Sequence, residues 1–194
     1  MKYYLKEEFL HDNNAKNAGN KARNDVEEIV KREGYQPLIL SVDDWYQMNI
    51  LKAQCHKAKA FAQVLSQMNK GDLLLIQFPM LHHSFFTTGL VKKAQKRGIK
   101  VYLLIHDLEV LRHANSTSLP LKYRIRMHLQ EGSLLKAADG IIAHNPVMKS
   151  VLVKKGIAED KVISLEIFDY LIPKFQEKTT LTKDRPIIVA GNLA

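Results

Sequence analysis

Cysteine is nearly absent from this 194-residue chain, with Cys55 its only representative. No internal disulfide can form, and a reducing compartment is the natural setting. Cys55 falls on an apolar position of a helical pattern and is expected to serve packing. Long apolar runs are missing too: none approaches the roughly 20 residues that a membrane span requires. The opening MKYYLKEEFLHD is too acidic and polar for a secretory signal. A cytoplasmic chain is therefore expected. Glycine numbers only 9, and these never fall into GxGxxG or P-loop spacing. There is no G-x-S-x-G elbow, so a hydrolase triad lacks its nucleophile. His82 and His83 are adjacent, which points them apart, and no Cys or carboxylate cluster completes a metal site around them.

What is present is an ordinary globular composition, 46% hydrophobic and 25% charged, with a formal net charge of +9. The excess of positive charge suggests an anionic neighbour: a phosphorylated substrate, a membrane surface or nucleic acid. Apolar segments alternate between two periods. KYYL, PLILSV, DLLLIQFP, IKVYLLI, GIIAH and KVISLEI read as strands, several of them almost continuously apolar. Helical spacing holds over residues 20–33, 46–69, from Phe85 to Gly98, 121–138 and 146–155, and Gly34, Gly71 and Gly98 are suited to end helices. This pattern predicts an α/β fold: a Rossmann-like parallel sheet with helices on both faces. Residues 1–168 form that domain, 169–186 a polar linker, and IIVAGNLA at 187–194 the first strand of a second domain.

In such sheets ligands bind beyond the carboxyl ends of the strands. The loops there are rich in Asn, Asp and His, whereas the helix-to-strand loops are short and end in Gly. In NAKNAGNKARND, a helix start with Gly19 and Lys21 favours an anion, while a plain turn capped by Asn20 explains the same residues equally well. Asp43 or Asp44 after the second strand suits a ribose or a divalent cation, or simply caps the next helix. His106 and Asp107 emerge from a fully apolar strand. A histidine beside a carboxylate can exchange protons or hold a sugar hydroxyl. His144 and Asn145 repeat the arrangement one strand later. LPLKYRIRMHL interleaves basic and apolar side chains, which suits a peripheral contact with the inner face of the cell membrane, or a helix with a wet basic face. Aromatics are few, 8% of the chain, and no β-surface platform for single-stranded nucleic acid is evident.

NAGNKARNDVEEIVKREGY, LLIQFP, GIKVYLLIHDLEVLR, LLKAADGIIAHNPVMKSVLVKKGI and LEIFDYL, in this order, resemble the amino-terminal half of bacterial GT-B glycosyltransferases. The similar enzymes extend adhesin glycans and cell-surface polysaccharides, and some are galactofuranosyltransferases. The resemblance implies two Rossmann-like domains across a cleft. The amino-terminal one mainly handles an acceptor glycan or glycoprotein; the other binds a nucleotide sugar, usually linked to UDP. No further cofactor and no metal is implied. Asn17, Gly19 and Lys21 would face donor phosphates and acceptor, with His106, Asp107, His144 and Asn145 on the cleft wall. His106 and Asp107 are the candidates for chemistry, and the catalytic base stays open. A homo-oligomer is compatible with this reading. The alternatives are a dinucleotide-binding oxidoreductase domain using Gly19 and Asp43, and a non-catalytic basic adaptor at the membrane surface.

Overall fold

The computed structural model describes residues 1–8, 18–42, 47–108, 131–165 and 171. Six strands form one sheet: β1 (Lys2–Glu8), β2 (Gln36–Ser41), β3 (Leu73–Phe78), β4 (Lys100–Ile105), β5 (Gly140–Ala143) and β6 (Val162–Ser164). Every pairing is parallel, and the strand order is β2-β1-β3-β4-β5-β6. The helices are α1 (Ala18–Arg32), α2 (Ile50–Ser66), α3 (Thr87–Lys96) and α4 (Pro146–Lys154), with residues 131–137 also helical. The Rossmann-like α/β architecture expected from the alternating periods is therefore the one observed.

Burial explains the residue choice strand by strand. The central β3 and β4 are covered on both faces, so LLLIQF and KVYLLI dispense with alternation. β2 lies at an edge and does alternate, burying Leu38 and Leu40 while Ile39 stays exposed. One face packs Leu5, Leu74, Ile76 and Leu103 against Phe61 of α2, Val91 of α3 and Leu134, and this is the main core. Each such side chain contributes about 1.5–3 kcal/mol of transfer free energy. The other face is thinner, with Val26 of α1 set on Tyr4, Leu75 and Leu104. Gly140 belongs to that face. A Cβ there would come within 2.6 Å of Cε1 of Tyr102 on β4, so only glycine lets the ring lie across β5.

Some boundaries differ from those the periodicity predicts. α2 begins at Ile50, because the Asn49 side chain accepts the Lys52 N–H at 2.9 Å and caps the helix. Ile50 and Leu51 then fall on its exposed side, and so does Cys55, whose expected packing role is not what the structure shows. Phe85 and Phe86 precede α3 rather than lining it, and both are exposed. The proposed linker and the 187–194 strand lie outside the described residues, apart from Leu171. Its N–H donates to Asp25 and its carbonyl accepts from Lys21, both on α1.

The helix-to-strand turns after α1, α2, α3 and α4 each pass through a glycine at positive φ. At Gly98, φ is 86° and an added Cβ would meet Cγ of Lys70 at 2.7 Å. Conformation and space both call for glycine there. These tight turns close the amino edge of the sheet and leave the longer strand-to-helix loops to the opposite edge.

Candidate functional site

The chain runs outward from β1 to β2 and then returns to the other side of β1 at β3, so the topological switch point lies between β1 and β3. Ligand crevices form at such points, beyond the carboxyl ends of the strands. Here the ends of β1, β3, β4 and β5 bring together Glu7, Gln77, His106 and His144, with the loop after β3 folded over Glu7.

Glu7 is the anchor of that loop. Its carboxylate accepts the backbone N–H of His82 at 2.7 Å and of Leu81 at 3.0 Å, and it lies 3.7 Å from the Arg23 guanidinium. His82 Nε2 lies 3.1 Å from the Glu8 carbonyl, so both terminal residues of β1 hold the loop. Arg23 also donates to the Pro79 carbonyl, beside the cis Phe78–Pro79 peptide that ends β3. Lys57 of α2 is buried nearby and feels the Glu7 charge. Burial pushes the Glu7 carboxyl above the usual carboxylate range, against the opposing pull of the two N–H donors, Arg23 and Lys57. Burial also lowers Arg23 and Lys57, with Glu7 acting against the shift in each. Arg23, Lys57 and Glu7 thus share a space with little water, and Glu27, itself raised by burial, also acts on Arg23.

A second set of groups runs along the neighbouring strand ends. The Gln77 amide donates to the Arg23 carbonyl at 3.4 Å, and its oxygen lies 2.6 Å from His106 Nε2. This short contact ties the His106 ring at the end of β4 to Gln77 on β3. The His106 and His144 rings meet edge to face, with centroids 5.9 Å apart. Burial, reinforced by the charge of Arg23 and by His144, pushes His106 down to about 4. His83 is likewise pushed down to about 4, by burial and then by Lys57. In His144 burial outweighs the hydrogen bond to the Ile105 backbone and the Asp107 carboxylate, and the ring lies below its ordinary value. Three neutral imidazoles therefore line this edge at neutral pH. Asp107 accepts the Leu108 N–H at 2.7 Å through one oxygen and sits beside His144. Among the described residues no group of three or more His, Cys, Asp or Glu is arranged to hold a metal ion.

The residues singled out from sequence divide into two groups. His106, Asp107 and His144 do converge. Asn145 caps α4, its side chain accepting the Met148 N–H at 2.8 Å. Lys21 turns to Asp25 at 2.7 Å and to the Leu171 carbonyl, and Gly19 lies in the first turn of α1. Asn17, Asp43 and Asp44 lie outside the described residues. Sequence reasoning missed Glu7, Arg23, Lys57, Gln77 and the buried environment of His83. One signal was available: Gln77 is the single polar residue in LLLIQF.

Residues 2–167 match the family model described as "Glucosyltransferase 3-like, N-terminal domain". The chain belongs to this family. The glucosyltransferase 3-like N-terminal domain is thus the same kind of unit that the HDLEVLR and IIAHN motifs resemble. The chain is similar to beta-1,6-galactofuranosyltransferase WbbI of Escherichia coli (strain K12), 28% identical over 190 residues, covering 96% of this chain and 51% of the relative. It spans about half the length of that curated relative. Among solved structures it is similar to the apo form of the lipopolysaccharide outer core galactosyltransferase WaaB, with a TM-score of 0.45 and 11% identity. That match covers 84% of this chain and 44% of the other.

Proposed function

We propose that this glucosyltransferase 3-like domain is the acceptor-binding half of a glycosyltransferase. Joined to a nucleotide-sugar-binding domain, it transfers a sugar, carried by UDP, to a cell-surface glycan or polysaccharide. The observation that supports this most is the neutral pair His106 and His144 beside Asp107 at the switch-point edge. A glycan acceptor presents hydroxyl groups, which need hydrogen-bond partners to be oriented and one partner to receive a proton during transfer. His106 and Asp107 stand together where an acceptor hydroxyl can be oriented and its proton received, with His144 beside Asp107. Gln77 holds the His106 ring and acts as a positioning residue.

The test is transfer of labelled sugar from UDP-sugar by the full-length protein and its variants. Asp107→Asn should lower kcat/KM about 100-fold, and His106→Ala about tenfold. Unchanged rates in both variants would remove these residues from the reaction.

A further inference from the structure

Lys21 and Asp25, one turn apart at the start of α1, are arranged in a way that the helix itself does not call for. An i,i+4 pair steadies a helix best with its acid first and its base toward the carboxyl end. The Glu28–Arg32 pair at the far end of α1 is ordered in that way, at 3.2 Å. Lys21–Asp25 runs in the reverse order, and α1 has no acidic residue in its first turn. A lysine there meets the positive end of the helix dipole. Helix stability therefore does not account for the pair, and its other partner is Leu171.

Both backbone polar groups of Leu171 face this pair. Its N–H donates to Oδ2 of Asp25 at 3.2 Å, and its carbonyl accepts from Nζ of Lys21 at 3.1 Å. Lys21 Nζ also reaches Oδ1 and Oδ2 of Asp25, at 3.0 and 2.7 Å, so three acceptors meet the three N–H groups of one ammonium. The Asp25 side chain is only 13% exposed. A carboxylate shielded in this way holds an N–H more strongly than a solvated one does. The position of Leu171 matters as much as its bonds. The chain leaves β6 at Ser164, where Leu165 still donates to the Ala143 carbonyl of β5 at 2.9 Å. At Leu171 it lies against α1, the helix set on β1, β3 and β4. Between these two points stand the ends of β5 and β4, which carry His144 and His106.

We propose that Lys21 and Asp25 form a clamp that fastens the chain at Leu171 to the first turns of α1, and so fixes where it leaves the six-stranded unit, at the edge of the crevice. Arg23 lies between them on the same helix and carries the contacts to Glu7 and Pro79, so clamp and crevice share one stretch of α1. If the transferase reading holds, the domain that binds the nucleotide sugar is tethered beside the acceptor crevice. The clamp itself does not depend on that reading.

Amide-resolved hydrogen exchange tests it, on this chain and on the full-length protein. The Leu171 amide should be protected in both. Asp25→Ala should speed its exchange about tenfold, as expected when a hydrogen bond to a charged group is lost, and Lys21→Met about threefold. Glu28→Gln, which breaks the pair at the other end of α1, should leave that rate unchanged. Amides of β1 and β3 should keep their rates in every variant, because a pair at the surface adds little to global stability. A second readout uses nitroxides on this chain. One sits on Cys55, exposed and the only cysteine, and the other on Leu171→Cys, which keeps both backbone groups. They should give one narrow distance distribution that Asp25→Ala broadens. An unprotected Leu171 amide would overturn the clamp, as would a rate and a width indifferent to Asp25→Ala. Equal acceleration in β1 and β3 would also overturn it, by showing that Asp25→Ala loosens the whole domain. Equal acceleration by Glu28→Gln would reduce the effect to fraying of α1. None of these readouts involves sugar transfer.

Discussion

The two edges of the sheet are built from the same strands and helices, yet they handle polar groups in opposite ways. At the amino edge Arg97 and Asp139 have backbone and ionic tasks, and the buried Asp72 pairs with the amino terminus. Arg97 donates to the Leu65 and Met68 carbonyls at the end of α2, at 3.0 and 2.6 Å. Asp139 accepts the Val101 N–H at 2.9 Å and pairs with Lys100. At the carboxyl edge Glu7, Lys57 and His82 are buried or nearly so, Arg23 is largely covered, and several lie displaced from their usual ionisation. Structure is secured at the first edge, and unfavourable burial of charge is tolerated at the second. That is the distribution expected when one edge carries function.

Cutting the buried charge set should produce the largest effect. Glu7→Ala removes two backbone hydrogen bonds and leaves Arg23 and Lys57 without their carboxylate. We expect a loss of about 3 kcal/mol in urea denaturation, against about 1 kcal/mol for Asp139→Ala at the other edge. Equal losses would erase the contrast. Next in size is Arg97→Met, which strips two carbonyls of a charged donor and should cost about 2 kcal/mol. If the transferase reading holds, transfer should survive that change, because Arg97 lies at the edge of the sheet opposite His106 and Asp107. Gly98→Ala should cost about 1 kcal/mol or more through its positive φ, read as a lowered melting temperature. A neutral result would mean that the turn relaxes easily and that this edge is less strictly built.

The pH dependence sharpens the comparison with a smaller signal. An unfolded histidine takes its proton near 6.5, whereas folded His106 and His83 do so only at about 4. Between those values the unfolded chain binds more protons, so stability falls as pH is lowered through that window. Glu7 works the other way. Its raised value makes the folded state take a proton first, adding stability as pH falls toward the ordinary carboxylate range. His106→Gln should therefore flatten the loss of stability between pH 6.5 and 4, measured as urea midpoints. The change should be modest, because the ring is only half-buried and water screens its neighbours. Arg97→Met should leave the slope as it is, and a slope unaltered by His106→Gln would place that ring in an ordinary environment.

Periodicity was enough to read the six strands and, with later starts for α2 and α3, the described helices between them, because each central strand needs apolar residues on both faces and each helix on one. It also placed His106, Asp107 and His144 together, since residues that end adjacent parallel strands must emerge at one edge. Other features were not legible. Lys57 sits at a polar-looking position of α2, and only the packing of that helix against β2 and α3 buries it near Glu7. Phe85 and Phe86 fit a helical pattern, but Thr87 pairs with Ser84 at the turn and starts the helix after them.

What the sequence determined by itself was the alternation of buried strands and one-sided helices, because local spacing alone decides which side chains can share a face. It also determined the chemistry available at the strand ends. Only the tertiary structure decided which of those groups lost water. Burial is set by what packs above a residue from elsewhere in the chain, and the loop folded over Glu7 comes from more than seventy residues away. The same distant packing sorts the polar residues into those that cap, such as Asn145, and those that face the crevice, such as His106.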